Sequence, residues 1–155
     1  MNTLSQAQRT EIERACERLI FAYTRALDLG DSSGAADFFA EQGSLARPMA
    51  PDQVIQGREP IRASLLTRPK TLLTKHLTTN VLIDVESPER ASGISYLTMI
   101  ATMPPAGAAA PHLSAGPLYF GEFKDRFVLE DDVWKFSERR GSIQLKFSGS
   151  IAGPG

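Results

Sequence analysis

The apolar positions of this chain change period near its middle. Between Ser5 and Asp31, the residues Ile12, Cys16, Leu19, Ile20, Tyr23 and Leu27 recur at three- and four-residue spacing, which predicts an amphipathic helix. Glu11, Glu13, Arg14, Glu17, Arg18 and Arg25 take its other faces. Ser5 with Gln8 suits a capping box at the start, and Gly30 is a natural stop. The stretch DSSGAADFFAEQG predicts a short second helix, capped by Asp31 or Ser32 and burying Phe38 and Phe39. REPIRASLLTR predicts a third, with Pro60 in the first turn, where a missing N–H is tolerated.

Four β-rich segments follow, at about Leu72–Val85, Ala91–Met103, Pro117–Glu130 and Val133–Phe147. Their connections, ESPER, a long loop and a tight EDD turn, predict an antiparallel, hairpin-connected meander. Helices first and a sheet afterwards is an α+β pattern, with the helices on one face of a curved sheet. The 155 residues fit a single domain over 1–147, with SGSIAGPG (148–155) as a flexible tail. The loop Pro104–Gly116 is long for a hairpin and rich in Pro, Gly and Ala, which suits either a functional lid or, favoured of the two, disorder or packing against a partner subunit.

The stretch TLLTKHLTTNV places a histidine inside the first of these strands. Leu73, Leu77, Val81, Ile83 and Val85 share one parity, whereas His76 shares the other with Thr74, Thr78, Asn80 and Asp84. Successive side chains of a strand point to opposite faces. The face of His76 therefore meets either water or a cavity lined with polar groups.

Composition narrows the choices. Seventeen basic against eighteen acidic residues give a net charge of −1, with no basic run for nucleic acid. The single cysteine, Cys16, excludes an internal disulfide and a cysteine-based zinc cluster, and its helical position reads as core. Two histidines far apart offer no metal-ligand spacing, so no metal is expected. No opening segment has a signal peptide's charged start and apolar run, and no apolar run approaches the roughly 20 residues of a membrane span. The expected place is the cytoplasm.

Four stretches are similar, in order, to one known group. YTRALDLGDSSGAADFFAEQGSL resembles the opening of the SnoaL-like group of the nuclear transport factor 2-like superfamily. GREPIRASLL resembles its third helix, TKHLTTNVLIDV its first long strand, and VWKFSERRGSI its last strand, so that the resemblance covers roughly residues 8 to 147. It implies a cone of three helices wrapped on a strongly curved, mixed sheet, open at one end. It also implies a small hydrophobic ligand in the cone, a homodimer formed through the sheet, and no cofactor. Such a fold hosts many chemistries.

The scytalone-dehydratase-like branch of that group sets a carboxylate from the first helix beside a histidine from the first long strand. Asp28 and His76 match those positions, and the match implies that the polar face of the strand is the cavity face. A carboxylate beside an imidazole fixes its tautomer and suits it to proton transfer near neutral pH. That branch carries a second histidine on the next strand, where Ala101 or a neighbour stands here, and the other histidine, His112, lies in the long loop. An epoxide-hydrolase reading needs an Asp–Arg–Asp set, for which Arg139 or Arg140 with Asp125 or Asp28 are the candidates. Tyr23, Asn80, Tyr96, Tyr119 and Trp134 are candidates for holding substrate, although buried tyrosines often only satisfy their hydroxyls. Three functions stay open: a cofactor-independent lyase or isomerase acting on a small oxygenated ring, a non-catalytic binding dimer, and an interaction subunit like the small subunit of ring-hydroxylating dioxygenases.

Overall fold

A computed structural model describes residues 4–112 and 116–148. Helix α1 (Gln6–Asp28) begins with the expected capping box: Ser5 Oγ accepts the Gln8 N–H at 3.2 Å and Gln8 Oε1 accepts the Ser5 N–H at 2.9 Å. It ends at Leu29, after which Gly30 takes a φ of 78°, a value that costs glycine little. Its face of Ile12, Cys16, Leu19, Ile20, Tyr23 and Leu27 is buried.

The second expected helix is corrected. Helix α2 covers only Ser32–Ala36, and strand β1 (Phe39–Arg47) follows directly. Phe39 pairs with Phe136 in a parallel ladder, and the Phe136 N–H donates to the Phe38 carbonyl at 2.9 Å. The backbone around these two aromatics is therefore taken by a strand partner. Both faces of β1 are covered for much of its length, with Ser44, Leu45 and Ala46 buried in succession, so no period-two alternation marked it as a strand. A hairpin leads to β2 (Ala50–Gln56), an exposed edge strand in which Pro51 and polar residues hide the signal. Helix α3 (Arg58–Leu66) falls where expected and buries Ile61 and Leu65.

Strands β3 (Leu73–Ser87), β4 (Arg90–Thr102), β5 (Leu118–Glu130) and β6 (Val133–Phe147) form the expected meander. The full sheet has six strands in the order β2-β1-β6-β5-β4-β3, antiparallel except for β1 against β6. The fold is thus α+β, with a curved sheet and its helices at the N-terminal end.

Two bulges decide which residues face inward. On β3 the pairing steps from Thr79 opposite Tyr96 to Leu82 opposite Ile94, which inserts one residue, and Asn80 there has a φ of 52°. Thr74, His76 and Thr78 face the interior before the bulge, and Val81, Ile83 and Val85 face it afterwards. Leu73 and Leu77, which share the parity of Val81, are instead exposed. The single apolar row expected from the sequence is therefore two half-rows on opposite faces. On β6 the pairing steps from Phe136 opposite Phe127 to Glu138 opposite Arg126, and this extra residue turns Arg139 inward and Arg140 outward.

The core joins α1 to the inner face of the sheet around Tyr23, Phe39, Phe127 and Phe136, with ring centroids 5.3–5.7 Å apart. Among the described residues no helix is long and apolar enough to cross a membrane. The tail expected from residue 148 lies, beyond that residue, outside the described residues.

Candidate active site

Helix α1 ends at Asp28, and strand β3 presents Thr74 and His76 to that end. The Asp28 carboxylate is held by three donors. Its Oδ1 lies 2.5 Å from His76 Nδ1 and accepts the Thr74 hydroxyl at 2.8 Å, while Oδ2 accepts the His76 backbone N–H at 2.9 Å. Arg68, just beyond α3, donates in turn to Thr74 Oγ1 at 3.3 Å. A carboxylate at a helix C-terminus is opposed by the helix dipole. Here the three donors offset that penalty, and they give Asp28 a structural reason to sit at this end.

The side chains of His76 and Asp28 are only 7% and 12% exposed. Burial pushes the Asp28 carboxyl up, but the hydrogen bonds from the His76 ring and backbone, the charge of His76 and the Thr74 hydroxyl outweigh it, and its pKa is lowered. An ionised Asp28 accepts only, so the proton of the neutral imidazole sits on Nδ1. Nε2 is then the basic atom, and the ring is held in one tautomer and one orientation.

Inward-facing residues form rows across the sheet. His76 stands opposite Met99, and Met99 opposite Tyr119. Thr74 stands opposite Ala101. A cavity of about 250 Å³ at this end is lined by Asp28, Thr74, Lys75, Ala101 and His112, among others. The long loop thus carries His112 to the mouth beside Asp28, while Met99 and Ala101 occupy the neighbouring strand.

The other sequence candidates are divided between this interior and the outer surface. Tyr23 is buried, edge-on to Phe39 and Phe136, and its pKa is raised by burial against the opposing effect of Arg139, Arg68 and Arg47. Tyr119 faces inward and is half-buried, and Trp134 packs against the core. Tyr96 is on the outer face, 52% exposed between the buried Ser95 and Leu97. Asn80 sits exposed at the β3 bulge, where the strand's alternation is broken. The fold therefore brings Tyr23 and Tyr119 inside with Asp28 and His76, and leaves Tyr96 and Asn80 outside.

Deeper in the interior, Arg139 Nη1 donates to Asp125 Oδ2 at 2.8 Å, and both side chains are wholly buried. Burial raises the Asp125 carboxyl to about 7, with Arg139 opposing the rise. Asp28 is engaged by His76 instead, so the Asp–Arg–Asp set does not assemble. Cys16 is a buried thiol pushed up to about 12, by burial first and by Asp125 second, in keeping with a core role. Thr74 and Arg68 are partners that sequence reasoning did not select. Thr74 at least shares His76's parity, two positions away.

The sequence profile of the SnoaL-like domain matches residues 8–140. The chain belongs to the SnoaL-like family. No match was found among curated protein sequences. Solved structures do resemble this SnoaL-like domain. A scytalone dehydratase-like protein from Novosphingobium aromaticivorans DSM 12444 has 22% identity and a TM-score of 0.75, covering 96% of this chain and 95% of that one. A type 2 hexachlorocyclohexane dehydrochlorinase (LinA) has 17% identity and a TM-score of 0.75, covering 97% and 99%. A variant of Rv3472, a protein of unknown function from Mycobacterium tuberculosis, has 24% identity and a TM-score of 0.70, covering 92% and 78%. At such identities the likeness establishes the fold of the SnoaL-like domain and leaves its reaction to the site itself.

Proposed function

We propose that this SnoaL-like protein is a cofactor-independent acid/base enzyme, a lyase or isomerase of the dehydratase type. Its substrate is a small, mostly apolar, oxygenated ring compound bound in the interior. The observation that carries this reading is the buried Asp28–His76 pair, with the carboxylate fixed by three donors and the imidazole fixed by the carboxylate. Asp28 is the positioning residue and His76 the catalytic one. In a dehydration, His76 Nε2 takes the proton of a C–H flanking a carbonyl and a C=C bond forms. Hydroxide leaves the neighbouring carbon and departs as water, carrying the proton that the His76 imidazolium returns from Nε2. Tyr23 and Tyr119 are the inward tyrosines available to hold the carbonyl.

Proton abstraction can be followed without knowing the natural substrate. Cyclic ketones such as 2-tetralone are incubated in heavy water, and deuterium uptake beside the carbonyl is read by NMR. Wild type is expected to accelerate the exchange and His76→Gln to lose the acceleration. A ketone that binds by calorimetry, yet exchanges no faster with wild type than with His76→Gln, overturns the reading.

A binding protein without turnover is the second reading, favoured by Met99 and Ala101 on the strand beside His76 and Thr74. Either function is compatible with a homodimer formed through the sheet. The outer face carries the cross-strand row Leu77, Thr98, Phe120 and Leu145, with Tyr96 and Ile94 nearby, and its large apolar members are exposed. Sedimentation is expected to give twice the 16.9 kDa chain mass, and a stable monomer at micromolar concentration excludes that assembly.

A further inference from the structure

The Arg139–Asp125 pair uses only part of its hydrogen-bonding capacity. Arg139 gives Nη1 to Asp125, while its Nε and Nη2 are buried and have no partner. These two atoms lie along one edge of the planar guanidinium, the edge whose parallel N–H bonds match the two oxygens of a carboxylate. The flat faces of the group are taken by aromatic rings: its central carbon is 3.7 Å from the Phe123 centroid, 4.7 Å from that of Phe136 and 5.0 Å from that of Tyr23. A ligand can therefore meet Arg139 only in its plane, through that edge.

The surrounding charge has a matching sign. Three guanidiniums, from Arg139, Arg68 and Arg47, act on Tyr23 against the single carboxylate of Asp125. Asp28 is already engaged by His76 and Thr74. Arg47 has a buried Nε without a partner, as have the hydroxyls of Thr78 and Ser95, which face the same interior. Buried polar atoms in this number call for partners, because each has given up its hydrogen bonds to water and gained none inside. Asp125 Oδ1 is likewise buried without a partner, so the pair leaves one acceptor oxygen as well as the guanidinium edge unmatched.

We infer that Arg139 is the anchor of a carboxylate-binding subsite in the interior, so that the ligand is a small ring bearing a carboxylate, gripped edge-on by Nε and Nη2. This rests on the reading of the interior as a small-molecule site and names the ligand class that it takes. The carboxylate is a handle remote from the reacting carbon. Tyr23 spans the two regions, one ring contact from Arg139 and five residues before Asp28 on α1.

The test uses 2-naphthoate and its neutral isostere 2-naphthamide, titrated into the full chain by calorimetry at pH 8. Wild type is expected to bind the carboxylate at least about tenfold more tightly than the amide. Arg139→Lys keeps a cation for Asp125 but has no pair of parallel N–H bonds, and is expected to lose that preference. Asp125→Asn removes the competing carboxylate and is expected to enlarge it. Equal affinity of the two probes, binding of neither, or a preference that survives Arg139→Lys overturns the subsite. If Arg139→Lys does not fold, an unchanged preference in Asp125→Asn overturns it instead. His76→Gln is expected to keep the preference, since the handle lies away from the imidazole. A normal preference with no ketone exchange sinks the acid/base reading alone, and exchange without the preference sinks the subsite alone.

Discussion

Arg139→Met is expected to cost about 1–2 kcal/mol of folding stability at pH 8 and little below pH 7, where Asp125 is protonated with or without its partner. Methionine fills much of the arginine's volume, so packing is not the main loss. The loss comes from Asp125, whose carboxylate would be left in an interior where Arg139 is its hydrogen-bond partner among the described residues. The loss carries a pH signature with a definite sign. The Asp125 carboxyl titrates near 7 in the folded chain, above the unfolded value of about 3.9. A group whose pKa is raised on folding binds its proton more readily when folded, so its contribution to stability falls as pH rises across that window. The variant should therefore be closest to wild type near pH 4–5 and furthest from it above pH 7. The double variant Asp125→Leu, Arg139→Met should recover much of the loss, because the uncompensated charge is gone. Urea unfolding at pH 5 and pH 8 reads all of this. A single variant as stable as wild type at pH 8 would refute the account of the pair.

The second large effect is on turnover. Asp28→Asn is expected to lower kcat by about 10²–10⁴-fold, comparable to losing an acid/base group outright. The amide has one acceptor oxygen where the carboxylate has two, yet the site offers three donors. If the amide oxygen meets the His76 backbone N–H, the amide NH₂ faces Nδ1. The imidazole then carries its proton on Nε2 and cannot act as the base. If the oxygen meets Nδ1 instead, the NH₂ opposes the backbone N–H and the strand is pushed away. Nitrogen-15 NMR of the imidazole distinguishes this from a general loss of structure: the shift of the proton from Nδ1 to Nε2 accompanies the drop in kcat. Near-normal turnover with the tautomer unchanged would mean that Asp28 does not position His76. The carboxyl also contributes to stability in the opposite pH sense from Asp125. Its pKa is lowered on folding, so its contribution is present above the unfolded value of about 3.9 and fades as pH falls below it.

Much of the frame was legible in the chain. The spacing of Ile12, Cys16, Leu19, Ile20, Tyr23 and Leu27 specifies α1 and its buried face, and the Ser5–Gln8 box forms at its start. The four long strands lie within two residues of their expected limits, because each has a local signal at its turns. Asp28 and His76 were reached through the resemblance of two short stretches to one family. Strand β1 was not legible, since Phe38 and Phe39 follow a helix start and the strand is covered on both faces. Its pairing with β6 joins residues nearly a hundred positions apart, beyond any local pattern.

The sequence by itself determined the helices with strong periodicity and the antiparallel meander, and its resemblance to one family made a carboxylate beside a histidine the pair to look for. The tertiary structure decided which side of each strand is the inside. One extra residue at Asn80 makes Val81 and Ile83 core partners on the same side as His76, and leaves Leu77, of the same parity, on the surface. One extra residue after Phe136 buries Arg139 in place of Arg140. Side-chain direction repeats every two residues, so a single insertion inverts everything beyond it. Where an insertion is accommodated depends on the hydrogen bonds of the neighbouring strand, and those exist only once the sheet has formed.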